Sequence, residues 1–225
     1  ADLAADAVFR DPDAVAAAEE FLARAAEGAS PPPPPEGIWV FEDLIESEGN
    51  RVALRSARET ALRPGAAYNP LVIVGGAGVG KTHLLHAVGN VLVASHRSVV
   101  ACLNAQDFSE ELIEALERGR VGAWRARYRR VQALLLDDVQ LLAGHERTQE
   151  ELYLLFNHLV EQGAQLAFTA SAEPNEIEGL AARLASRLAG GLVVHLPPPE
   201  REVRQAVIER LLGARYGRVD SELAG

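Results

Sequence analysis

Several short runs in this sequence have residue types and spacings that can do chemistry. The first is Gly75-Gly76-Ala77-Gly78-Val79-Gly80-Lys81-Thr82, which fits G-x-x-x-x-G-K-[ST] between an apolar run at 71–74 and a helical pattern. Glycine lets backbone approach an anion closely and adopt dihedrals that a Cβ resists. Successive N–H groups and the helix N-terminus then wrap phosphates. Lys81 would reach the β- and γ-phosphates, and Thr82 would ligate Mg²⁺. The plainer alternative is a Gly-rich strand-to-helix turn. Against it stands a count: of 22 basic residues, 21 are Arg, and Lys81 is the one Lys. Arg replaces Lys cheaply on a solvated surface, but not where a compact ammonium enters a tight phosphate site.

Leu134-Leu135-Leu136-Asp137-Asp138 is an apolar strand ending in two acids. Asp137 can hold Mg²⁺ through water, and Asp138 can polarise an attacking water. Alone, the pair could also cap a following helix or turn; a P-loop about 55 residues earlier favours the first reading. Thr169 and Ser171 end another strand, where they could sense a γ-phosphate, position water or make ordinary strand-end hydrogen bonds. Arg183 and Arg187 share a helix face, as solvated charges or as an arginine finger at a subunit edge. Residues 118–130 hold six Arg with Trp124 and Tyr128 interleaved. That mixture is a weak nucleic-acid signal, or an amphipathic helix with its aromatics turned inward. His83, His86, His145, His158 and His195 show no metal-ligand spacing, and no Ser/His/Asp or Cys/His arrangement is visible.

These residues need a frame. Strand-like apolar runs fall at 71–74, 98–103, 132–136, 165–169 and 192–196, with helical patterns at 50–62, 80–94, 107–117, 120–129, 146–161, 180–188 and 200–212. Apolar strands separated by helices predict an α/β fold with a five-stranded parallel sheet covered on both faces. Ligands bind such sheets at the carboxyl ends of the strands. Ahead of this pattern, 13–26 predicts a short helix and 30–35 (SPPPPP) an extended polyproline spacer. The expected organisation is an acidic segment and Pro-rich linker over 1–37, a nucleotide-binding core over 38–198 and the start of a truncated helical lid over 199–225.

The chain has 225 residues, 48% hydrophobic, and a net charge of −10. That acidity argues against non-specific duplex binding, which runs on phosphate neutralisation. No apolar run is long enough for a transmembrane helix, and no signal peptide is evident. The single Cys102 excludes an internal disulfide and fits a cytoplasmic location. The lack of any Met leads us to expect a piece of a longer protein.

With these motifs placed, residues 39–212 resemble the AAA+ domain of the bacterial chromosomal replication initiators, the DnaA family. The resemblance is carried by Tyr68 to Leu71, Gly75 to Asn90 (GGAGVGKTHLLHAVGN), Ala133 to Gln140 (ALLLDDVQ), Glu146 to Glu151 (ERTQEE) and Arg183 to Arg187 (RLASR). It implies an AAA+ P-loop ATPase acting as an ATP/ADP switch with slow hydrolysis. Gly75, Gly76, Ala77, Gly78, Val79, Gly80, Lys81, Thr82 and His83 would hold ATP or ADP. Thr82 and Asp137 would hold Mg²⁺, Asp138 would act on water, and Ile45 and Asn50 would flank adenine. Arg187 matches the finger that completes a neighbouring protomer's site, so ATP would support a helical oligomer. Helices 107–129 resemble the initiator-specific insertion, and Ile113 and Arg147 match residues lining a single-stranded DNA channel. Duplex DNA would be read only by a C-terminal domain absent from this chain; other replication proteins are further partners, and the nucleoid is the expected site of an initiator.

The chain departs from the family pattern at three places. His145 replaces a channel Lys, Thr169-Ala170-Ser171-Ala172 replaces T-S-D-R, and Ser186 to Leu192 lacks the usual aromatics. A regulatory or loader paralogue, or a nucleotide-dependent scaffold with little hydrolysis, is the alternative reading.

Overall fold

The computed structural model describes residues 31–216. The helix expected over 13–26 and the last nine residues lie outside that range. The strands are β1 (Leu71–Val74), β2 (Val100–Asn104), β3 (Ala133–Asp137), β4 (Gln165–Ala170) and β5 (Leu192–His195). The helices are α1 (Arg51–Leu62), α2 (Lys81–His96), α3 (Ala105–Glu117), α4 (Val121–Tyr128), α5 (Glu146–Glu161), α6 (Ala182–Ala189) and α7 (Arg201–Tyr216). All strand pairs are parallel, in the order β2-β3-β4-β1-β5.

Successive strand residues face opposite sides of a sheet, and the core divides accordingly. Leu71, Ile73, Cys102 and Leu135 pack with α1 and α2. Val72, Val74, Leu134, Leu136 and Phe168 pack with α3, α4, α5 and α6. Both faces are buried, which is why these strands read as unbroken apolar runs.

Two boundaries move for local reasons. Arg97 closes α2 in the left-handed region (φ 50°) and the Ser98 N–H bonds back to the Leu92 carbonyl, so β2 begins at Val100 rather than 98. Asn104 accepts a hydrogen bond from the Asp107 N–H at 2.8 Å and caps α3, which starts at Ala105 rather than 107.

The Pro-rich run is extended as expected, but it is not a free spacer. Pro32 and Pro35 are buried. The Pro33 carbonyl accepts from the Cys102 N–H of edge strand β2 at 2.7 Å. The Glu36 N–H donates to His86 Nδ1, and Asn90 Nδ2 donates to the Glu36 and Trp39 carbonyls, each at 2.8 Å. Arg127 donates to the Pro31 carbonyl at 2.8 Å. Residues 31–40 therefore form a strap across β2 and α2.

The Arg-rich segment also resolves. Trp124 and Tyr128 are buried against Phe108, with ring centroids 5.1 and 5.4 Å away. Arg125 pairs with Glu151, Arg127 with Glu111 and Arg118 with Glu114. The aromatics belong to the core and these three arginines are held by carboxylates, so their interleaving is not a base-stacking surface.

Candidate functional site: a phosphate loop above two acids

β1 delivers the glycine loop to the carboxyl edge of the sheet. The Gly75 N–H donates to the Ala170 carbonyl at 3.1 Å, and a Cβ there would meet the Leu196 carbonyl oxygen at 2.4 Å. Only glycine fits so close an approach. Gly80 takes φ 101° and starts α2 with no side-chain cap, leaving the first helical N–H groups turned toward the loop. Lys81 is buried, and its Nζ donates to the Gly76 carbonyl at 2.9 Å. Its nearest carboxylate oxygen is Asp138 Oδ1 at 4.0 Å. A buried ammonium curled onto its own loop, beside free helix N–H groups, suits an anion.

The sheet order brings the acids underneath. β4 lies between β3 and β1, so the ends of all three strands adjoin. Thr82 Oγ1 donates to Asp137 Oδ2 at 2.6 Å. Thr169, fully buried, donates to Asp137 Oδ1 and accepts from the Asp138 N–H at 2.8 Å. Asp138 takes φ 55°, and Gln140 Nε2 donates to its carboxylate at 2.9 Å. Ser171 is exposed; its backbone N–H donates to Gln140 Oε1 at 3.1 Å.

A cavity of about 420 Å³ opens beside Gly78, Val79 and Gly80. Its far walls are residues 43–50, Leu196 to Glu200, and Val203 and Val207 of α7. Ile45 and Asn50 both line it. Asn50 accepts from the Ser47 N–H and donates to the Ile45 carbonyl, each at 2.8 Å, so it shapes the wall as well as lining it. His83 also lines the cavity; its Nε2 lies 2.8 Å from the Val40 carbonyl and its ring 4.9 Å from that of Trp39.

His86, Asn90 and Gln140 are site-supporting residues that sequence reasoning missed. The available signal was the 83/86/90 spacing, which puts three polar side chains on one face of a helix whose middle is mostly apolar. Burial pushes the His86 imidazole below its ordinary value, against the Glu36 and Asp137 carboxylates that raise it.

Arg187 sits elsewhere. It lines a groove with Asn69 and Pro70, just before β1, and Gly190, just before β5. That is the amino end of the sheet. The four-residue β1, roughly 13 Å long, separates it from the glycine loop. Ile113 is 49% exposed on α3. Arg147, at the start of α5, is exposed and paired with Glu150 and Glu151. Between them, Ser109 and Thr148 are joined at 2.9 Å, so Ile113 and Arg147 flank one helix contact.

The family model described as the bacterial DnaA ATPase domain matches residues 36–195 of this chain. The chain belongs to the bacterial DnaA ATPase domain family. Domain III of the Thermotoga maritima replication initiation protein DnaA is 35% identical with a TM-score of 0.81, over 85% of this chain and 80% of that one. AMPPCP-bound DnaA from Aquifex aeolicus is 34% identical with a TM-score of 0.77, over 84% of this chain. A replication initiator DnaA bound to AMPPCP and single-stranded DNA gives the same identity, TM-score and coverage. The chain spans 59% of the length of each of the last two. The fold is thus that of a DnaA AAA+ domain. Among the described residues no helix is long and apolar enough to cross a membrane.

Proposed function

We propose that this chain is the ATP-binding switch module of a DnaA-type replication initiator, hydrolysing ATP slowly and assembling with copies of itself when ATP is bound. The observation that carries this reading is the placement of the glycine loop and Arg187 at opposite ends of one sheet. A chain built this way cannot bring its own finger to its own phosphates. Charge stabilisation in the transition state then waits for a second copy, which couples turnover to assembly.

Within one chain, the loop N–H groups and Lys81 hold the phosphates, and the cavity between residues 43–50 and α7 takes the base and ribose. The donors fit Mg²⁺: a hydroxyl and a carboxylate oxygen, both hard, already 2.6 Å apart. Among the described residues no cluster of three or more His, Cys, Asp or Glu could hold a metal, so a cation would rest on Thr82, Asp137 and the phosphates. Bound there, Mg²⁺ would neutralise charge on the phosphate oxygens. Thr169 bonds both acids, and Asp138, its carboxylate held by Gln140, would orient water. Ile113 and Arg147 form the proposed contact with single-stranded DNA; support comes from their exposure on neighbouring helices and from the DNA-bound relative. The expected location is the cytoplasm, at the nucleoid.

The test is titration calorimetry with ATP and Mg²⁺. The unaltered chain should bind and Lys81→Ala should lose at least about tenfold in affinity, the effect of one charge-assisted phosphate contact. Equal affinity in the two proteins would remove the P-loop assignment.

A further inference from the structure

The groove at the amino end of β1 holds two guanidinium groups on one phenol ring. Tyr153 stands on α5, facing α6. Arg183 Cζ lies 5.0 Å and Arg187 Cζ 6.0 Å from its ring centroid. Arg183 also faces Glu150 at 3.9 Å, whereas Arg187 makes no ion pair among the described residues. The two arginines therefore share a ring but not a charge environment. Tyr153, Arg183 and Arg187 line the same groove, so the ring face lies at its wall.

How an arginine is held matters for what it can still bind. A carboxylate occupies the donor edge of a guanidinium and cancels its charge. An aromatic face does neither: it attracts the cation through the ring quadrupole and leaves donor N–H groups and the full charge available. A long Arg side chain otherwise loses considerable rotamer freedom on docking. Ordering it in advance lowers that cost.

We propose that Tyr153 is the positioning residue for Arg187: its ring holds the guanidinium at the subunit edge with donors free for the nucleotide phosphates of a second copy of this chain. The inference rests on the trans-acting role of Arg187 in the reading above. Tyr153 touches no substrate, so its loss should lower turnover without altering nucleotide affinity.

The experiment is ATP turnover by the 225-residue chain, compared with Tyr153→Leu, Tyr153→Phe and Arg187→Ala. Tyr153→Leu keeps apolar bulk without a π face; Tyr153→Phe keeps the face. Turnover should fall roughly fivefold to tenfold in the Leu variant, the scale of a partly desolvated cation–π contact. It should stay within about twofold in the Phe variant. ATP affinity and melting temperature should hold in both. Adding Lys81→Ala chain, which keeps its finger but not its phosphate site, should restore turnover of the Leu variant. A purely structural role for Tyr153 would not be rescued in trans. Two outcomes overturn the inference alone: turnover lost in Arg187→Ala but not in Tyr153→Leu, or lost equally in the Leu and Phe variants. If Arg187→Ala matches the unaltered chain in turnover and in ATP-dependent sedimentation, the trans reading itself falls and this inference with it.

Discussion

Thr169 is one hydroxyl that fixes two acids. It donates to Asp137 and accepts from the Asp138 backbone, with no exposure to solvent. Thr169→Val keeps the shape and removes both bonds, leaving a buried carboxylate oxygen and an N–H unpaired. The expected loss is about 1–3 kcal/mol of stability, read by thermal denaturation. Turnover should drop while calorimetric ATP binding largely survives; an unchanged melting temperature would contradict this role. Lys81, Thr82, Asp137 and Asp138 were legible as candidates in the sequence because phosphate chemistry restricts residue type and spacing. The pair of hydrogen bonds made by Thr169 was not, because it depends on β4 lying between β1 and β3, and strand order is not written in any local pattern. His86 gives a second prediction. Its folded value lies below the ordinary 6.5, with burial as the main cause, so the unfolded chain binds the proton more readily. Stability is therefore fully present above pH 6.5 and is lost as pH falls below it. His86→Gln keeps an acceptor for the Glu36 N–H without the titration. Melting temperatures from pH 7.5 to 5.5 should fall less in that variant; parallel slopes would count against the assignment.

At the scale of elements, α4 shows how a composition can mislead. Six arginines and two aromatics over 118–130 read as a weak nucleic-acid signal or, slightly favoured by composition, as an amphipathic helix with its aromatics inward. The difference lies in partners distant in sequence. Glu151, 26 residues on, takes Arg125 in a two-pronged bond and ties α4 to α5. Arg125, by hydrogen bonding, holds the Glu151 carboxyl below its usual range. Removing Arg125 leaves a buried carboxylate with Arg147 as its remaining ion-pair partner. Arg125→Ala should cost roughly 2 kcal/mol, while Arg125→Leu with Glu151→Leu should recover most of it. Urea denaturation of the three proteins decides; a double variant no better than the single would mean the pair is not the tie. The strands were easier to read: LVIV at 71–74 and LLL at 134–136 are buried on both faces, so no polar residue interrupts them.

At the scale of the whole molecule, the parallel sheet acts as a spacer with the glycine loop at one end and Arg187 at the other. The strap runs along its outer strand, and the sequence hid it for a simple reason. A run of prolines shows no apolar strand pattern and has no N–H to donate to a ladder; Pro33 contributes a carbonyl instead. An exposed strand edge invites a second chain to add to it. Here the edge at Cys102 is covered by a segment that can accept but scarcely donate, so the cover cannot itself be extended into a further strand. Beneath it lies the chain's single thiol, 3% exposed and held protonated by burial. Alkylation of Cys102 should be slow in the intact chain and faster by an order of magnitude or more in a chain beginning at Gly37, with heat-induced aggregation rising in step. Equal labelling rates would show that the proline segment protects nothing. One sulfur atom thus counts how often an uncovered edge is offered to a neighbour, in a protein whose proposed work is to meet its neighbours elsewhere.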